Sequence, residues 1–337
     1  MTVDIKSIEW NDQGVVILDQ TLLPVEEKYV NIKSTVQLID SIKRLAIRGA
    51  PALGVAGAFG VVIALDEAAS QGWSEAKLES EIDALRDARP TAVNLAWGVN
   101  QVRPLIAQGR SVVLIAAQKL AAEDRASNTA MGNIGADWLL AKLGDKKFNL
   151  LTHCNTGSLA TTGTGTALGV VKELNKRGNI NEVFADETRP LLQGSRLTAW
   201  ELEKSNIPYR IQPDGAAAMA ILGGKVDAAL IGADRIAKNG DSANKIGSLG
   251  VALACYIAKI PFLVVAPEST VDRQILDGSK IHIEIRGDYE VTHIGDTELA
   301  PKGAKTFNPA FDVTPAKYIS AIITELKSYE IAKGESL

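Results

Sequence analysis

Cys154 stands in the run Thr152-His153-Cys154-Asn155-Thr156-Gly157, just past a short apolar stretch. A thiol at such a place can face a helix N-terminus, which favours the thiolate and with it proton abstraction or nucleophilic attack. Free cysteines are also among the most buried residue types, so a plain core role is the alternative. Asp234, in Gly232-Ala233-Asp234-Arg235, offers a carboxyl group for acid–base work, or else a partner for Arg235 or a turn cap. The glycine run GTGTALG at 163–169, with Asp186 at the end of the next apolar stretch, has features of a dinucleotide fingerprint. Its glycines, however, begin nine residues after Cys154 and the third is displaced by one. Arg48-Gly49-Ala50-Pro51 and Asn244-Lys245-Ile246-Gly247 each set a cationic side chain before a helical stretch. A cation beside helix-terminal N–H groups is the chemistry of a phosphate seat; a surface arginine before a proline turn is the alternative for the first. Cys255, inside LGVALACYIAKI, reads as core.

These residues need a frame that brings them together. From about residue 147 onward, short apolar runs at 148–153, 182–185, 209–211, 228–231 and 262–265 alternate with helix-like stretches. That alternation predicts right-handed crossovers and a doubly wound parallel sheet, which binds ligands at the carboxyl ends of its strands. Cys154, Asp186, Asp214 and Asp234 each follow one of these runs. The first third of the chain has helical spacing over 35–47, 52–69, 74–86, 93–108 and 112–142, after a hairpin pattern at 7–19. The fold class expected is therefore α/β. A smaller, mainly helical N-terminal domain (1–122) precedes a parallel-sheet C-terminal domain (123–337).

Composition narrows the function. The chain has 337 residues, 46% of them apolar and 23% charged, and a net charge of −4. The acidic balance argues against nonspecific nucleic-acid or anionic-membrane partners. The longest uncharged apolar run, 50–65, is 16 residues and rich in Gly and Ala, which predicts a buried helix and not a membrane span. MTVDIKSIEW lacks the layout of a signal peptide, and two cysteines make no disulfide framework, so a cytoplasmic setting is expected. Three histidines without CxxC or HExxH predict no zinc site.

The segments RGAPALGVAGAFG (48–60), ARPTAVNLAWGVN (88–100), THCNTGSLATTGTGTALGV (152–170), DETRPLLQGSRLTAWEL (186–202), IGADRIAKNGDSANKIGSLGVALAC (231–255) and FNPAFDVTP (307–315) closely resemble the 5-methylthioribose-1-phosphate isomerase family. That family is related to ribose-1,5-bisphosphate isomerase and to regulatory subunits of the translation-initiation exchange factor. The resemblance covers nearly the whole chain. It implies an aldose–ketose isomerase of methionine salvage, with a Rossmann-like C-terminal domain, no cofactor and a homodimeric state. It implies catalytic roles for Cys154 and Asp234, and substrate binding by Arg48, Gly49, Ala50, Arg89, Gln193, Asn244 and Lys245. The glycine run then belongs to a sugar-phosphate pocket. The competing functions are a noncatalytic sugar-phosphate or nucleotide sensor and a nicotinamide-dependent dehydrogenase.

Overall fold

Residues 5–12, 14–89, 93–335 and 337 are described by a computed structural model of the chain. Two units divide the described residues: one comprises 5–128 together with Gly157–Gly165, the other Thr129–Thr156 and Thr166–Leu337.

The first unit opens with an antiparallel sheet of β1 (Ile8–Asn11), β2 (Gly14–Leu18) and β3 (Tyr29–Ile32), in which Ile8 pairs with Ile17 and Val16 with Asn31. Helices α1 (Thr35–Lys43), α2 (Ala50–Gln71), α3 (Glu75–Arg86) and α4 (Val93–Val102) follow. Ser34 and Ser74 cap α1 and α3 by accepting from Gln37 N and Lys77 N. Every residue of α2 from Ala52 to Ala64 is buried, as expected for a helix that is apolar all round. At 22 residues α2 is long enough to cross a bilayer, but 72% of its apolar window is buried; Leu38, Phe59, Leu85 and Leu95 belong to the core around it. Helix α5 (Arg110–Leu143) is a single 34-residue helix, and both the expected boundary at 122/123 and the division at Asn128 fall inside it.

The second unit is built on seven strands. Each of the five apolar runs forms one of them: β4 (Phe148–Thr152), β5 (Ile180–Asp186), β6 (Tyr209–Gln212), β7 (Ala228–Ile231) and β10 (Phe262–Val265). The crossovers carry α6 (Ala167–Lys176), α7 (Ala199–Lys204), α8 (Ala217–Leu222) and α9 (Ser248–Ala258). With β15 (Ala321–Ile323) and β16 (Ser328–Tyr329) the order is β16-β15-β10-β7-β4-β5-β6, parallel except for the edge strand β16. Side chains alternate between two cores: Leu150, Leu230 and Leu263 pack on one face, Leu151, Ala229, Ile231 and Val264 on the other. The chain winds outward from β4 through β5 to β6, then returns to place β7 on the other side of β4, so the winding direction reverses between β4 and β7.

A further sheet, β11-β8-β9-β14, joins β8 (Arg235–Ala237), β9 (Ser242–Lys245), β11 (Val271–Asp272) and β14 (Phe311–Thr314). A two-stranded ribbon, β12 (His293–Ile294) with β13 (Thr297–Glu298), precedes β14.

Candidate active site

β4 delivers His153 and Cys154 at its carboxyl end. Cys154 is buried and adopts φ 64°, a left-handed conformation that costs a residue with a Cβ about 1–3 kcal/mol unless its surroundings hold it. Two bonds hold it: its N–H donates to Thr188 Oγ1 at 2.9 Å, and its carbonyl accepts from Thr198 Oγ1 at 2.6 Å. Thr188, also at φ 64°, is fixed in turn by Asp214, whose carboxylate accepts the Thr188 and Arg189 N–H groups at 2.7 and 2.6 Å. Behind the thiol, Asn155 Nδ2 donates to Glu201 Oε1 at 2.9 Å, and Glu201 pairs with Lys172 at 2.9 Å. By contrast, the other thiol, Cys255, is pushed by burial up to about 12, which keeps it protonated and inert.

His153 is 1% exposed, with Nδ1 2.9 Å from Asp186 Oδ2 and Nε2 2.8 Å from the Ile246 carbonyl. Burial pulls the imidazole pKa down, but the hydrogen bond and charge of Asp186 outweigh it and lift the ring to about 9. His153, Asp186 and Asp214 place their ligand-type atoms within 4.8 Å of one another, a spacing a metal ion could use. Those atoms already have protein partners: Asp186 Oδ1 accepts from Gln212 Nε2 at 2.8 Å, and both Asp214 oxygens accept backbone N–H groups. The cluster is thus a hydrogen-bonded network as it stands.

β7 leads into Gly232-Ala233-Asp234. Because β4 and β7 pair side by side, Thr152 with Leu230, Cys154 and Asp234 leave adjacent strands at the same edge of the sheet, where the winding reverses. The Asp234 side chain is exposed, and its N–H donates to the Ala243 carbonyl at 2.9 Å. Ala243 also pairs with Arg235 at the start of the β8–β9 ladder, so Asp234 is tied to β9 one residue before Asn244. Asn244 and Lys245 are buried on β9; Asn244 Nδ2 donates to Ser248 Oγ at 2.8 Å, and Lys245 Nζ donates to the Ala310 carbonyl at 2.7 Å, over the Phe311 ring. The helix start after Lys245 is not an open anion seat. Gly247 N and Leu249 N donate to Asp312 at 2.7 and 3.1 Å, so the chain's own carboxylate takes the place a phosphate was expected to fill at α9.

Gln193 is buried between Leu192, at φ 57°, and the π-helical turn Gly194–Thr198. Its Oε1 is buried with no hydrogen-bond partner among the described residues. Such an acceptor is costly unless a ligand donor meets it.

Arg48, Gly49, Ala50 and Arg89 belong to the other unit. Gly49 has φ 95°, and a Cβ there would lie 2.4 Å from the Ala160 backbone. Ala160 sits in the segment 157–165, which Asp124 anchors by accepting from Thr162 N and Oγ1 at 2.7 and 2.6 Å, and Gln20 by donating to the Leu159 carbonyl at 2.7 Å. Burial raises the pKa of the Asp124 carboxyl. Arg89 is half-buried; the three residues that follow it, 90–92, lie outside the described residues. The sequence reading assigned no role to His153, Thr188, Asp214 or Asp312. The first three do stand at predicted strand ends, and that position was the available signal.

Together these features define an α/β protein with a polar cluster at the strand ends of its parallel sheet. The chain belongs to the Initiation factor 2 subunit family, whose pattern matches residues 46–327. Within it, the chain is 48% identical over 324 residues to a probable bifunctional methylthioribose-1-phosphate isomerase/methylthioribulose-1-phosphate dehydratase of Nocardia farcinica, a match that covers 96% of this chain and 59% of that longer protein. It is 46% identical over 332 residues to methylthioribose-1-phosphate isomerase of Nitrosococcus oceani, covering 95% and 93% of the two chains. The crystal structure of 5-methylthioribose 1-phosphate isomerase from Pyrococcus horikoshii OT3 is similar at TM-score 0.89 and 37% identity, covering 96% and 92%.

Proposed function

We propose that this chain is an aldose–ketose isomerase that converts 5-methylthioribose 1-phosphate to 5-methylthioribulose 1-phosphate in methionine salvage. The observation that carries this reading is the emergence of Cys154 and Asp234 from adjacent parallel strands at the point where the sheet reverses its winding.

The phosphate on the anomeric oxygen removes the hydroxyl proton through which other aldoses open. Asp234, as the acid, protonates the ring oxygen; the C1–ring-oxygen bond breaks and the oxygen leaves as the C4 hydroxyl. Cys154, as thiolate, takes the C2 proton, and a C1–C2 enol forms. The thiol then returns that proton to C1 while the C2 hydroxyl proton goes to Asp234, which leaves the C2 ketone and restores both groups. The direct alternative moves hydrogen from C2 to C1 as hydride. Loss of a C2 deuterium to solvent supports the proton route, and its full retention at C1 supports the hydride route.

Arg48, Arg89 and Lys245 supply charge for the phosphate, where charge-assisted bonds are the strong ones. Gly49 and Ala50 contribute the turn after Arg48. The unsatisfied Gln193 Oε1 accepts a sugar hydroxyl, and Asn244 follows Ala243, whose carbonyl accepts the Asp234 N–H. A mainly helical N-terminal domain, residues 1–122, carries the two arginines, and a Rossmann-like C-terminal domain, 123–337, carries the chemistry. The enzyme works as a cytoplasmic homodimer without cofactor, nucleic acid or membrane.

Purified protein assayed side by side on methylthioribose, ribose and deoxyribose 1-phosphates should turn over the first fastest; no turnover of any of them overturns the assignment. Arg48→Ala should raise KM about tenfold or more, the worth of one charge-assisted hydrogen bond, with unchanged melting. Unchanged KM and kcat would remove Arg48 from phosphate recognition.

A further inference from the structure

We propose that His153 is a positioning residue of this site: clamped between Asp186 and the Ile246 carbonyl, it fixes the turn that follows Asn244 and Lys245 against the strand that carries Cys154. The inference rests on the function proposed above and adds a residue to it.

The geometry makes the ring a two-sided donor. The Ile246 carbonyl, 2.8 Å from Nε2, can only accept, so Nε2 carries a hydrogen. Nδ1 faces the Asp186 carboxylate at 2.9 Å, and that carboxylate is itself held by Gln212. The two acceptors come from distant parts of the chain: Asp186 ends β5, whereas Ile246 lies between β9 and α9. The turn is pressed onto the ring, because Gly247 adopts φ 108° and a Cβ there would stand 2.8 Å from His153 Cε1. At 1% exposure no bulk water can replace either bond.

The charged and titratable groups around the ring are Asp186 on β5, Asp214 after β6, Asp312 on β14 and the Cys154 thiol on its own strand, with Lys245 facing Asp312 from β9. Three carboxylates favour a ring with both nitrogens protonated, in line with its lift to about 9. The folded ring therefore holds its proton more tightly than the unfolded one. The clamp is complete at neutral pH and opens as pH rises through about 9: the neutral ring keeps its one hydrogen on Nδ1, against the Asp186 carboxylate, and the bond from Nε2 to the Ile246 carbonyl is lost.

Asparagine at 153 retains a donor near the Nδ1 position and loses the one that reaches Ile246; glutamine retains the second and loses the first. His153→Asn should raise KM for methylthioribose 1-phosphate about tenfold, with kcat within about threefold. His153→Gln should bring KM back to within about threefold of the native value and abolish the rise in KM expected of the native enzyme above pH 9. Should either variant fail to fold, Asp186→Asn keeps the ring and should move the alkaline rise in KM to lower pH. Native KM in His153→Asn, or an unmoved alkaline rise in Asp186→Asn, overturns the proposal. If the native protein does not isomerise the substrate, it is the function that fails, and the clamp is read separately from the ¹⁵N shifts of His153. Both nitrogens should stay protonated to about pH 9, and a neutral ring at pH 7.5 overturns the clamp.

Discussion

Cys154→Ala and Asp234→Asn should each lower kcat by roughly 10² or more, the span over which a positioned acid or base accelerates proton transfer. Neither change should cost much stability. The bonds that hold Cys154 in its left-handed conformation run through its backbone N–H and carbonyl, to Thr188 and Thr198, and alanine keeps both. The Asp234 side chain is exposed, and the bond to Ala243 is made by its backbone N–H, so asparagine keeps that bond and removes the acid. Steady-state kinetics with melting curves on the same preparations make the check. Activity near native in either variant removes that residue from the chemistry, and a collapsed melting curve assigns the loss to folding instead. The two single losses should not add in the double variant, because residues that act as one unit fail together.

A second large effect is expected behind the thiol. Lys172→Met removes the cation 2.9 Å from Glu201, whose side chain is 0% exposed. Breaking one side of a buried pair costs about 3–5 kcal/mol, since the remaining charge loses its compensation in a poorly polarisable interior. Pairing the change with Glu201→Gln should recover most of that loss: glutamine is neutral and retains an Oε1 to accept from Asn155 Nδ2, now at 2.9 Å from the glutamate. Denaturant unfolding of the native, single and double variants measures the difference. A loss below about 1 kcal/mol in Lys172→Met, the range of exposed pairs, would mean that solvent already reaches this pair. Because Asn155 follows Cys154 directly, the single variant should also lose turnover.

The parallel strands were legible as short runs rich in apolar residues, two of them wholly apolar. Ala228–Ile231 and Phe262–Val265 are buried at every residue, and a strand covered on both faces announces itself by composition alone. Their carboxyl ends located Cys154 and Asp234, and the long family segments added the residues expected to bind substrate. The β8–β9–β14 sheet was not legible. Ser242–Lys245 is buried throughout although its sequence, SANK, is nearly all polar, so no apolar periodicity marks it. Its buried polar groups are satisfied by distant partners such as the Ala310 carbonyl. The same holds for Asp312, which caps α9 from more than 60 positions away, and for the segment 157–165, which follows β4 in sequence yet packs with the helical unit through Asp124 and Gln20. Local pattern determined which stretches become the helices and the parallel strands, and which residues stand at the ends of those strands. Tertiary structure alone decided which polar groups meet, because a buried hydrogen bond between remote residues leaves no period in the chain: its partners are chosen by the path of the backbone, and only the need to satisfy every buried donor and acceptor selects them.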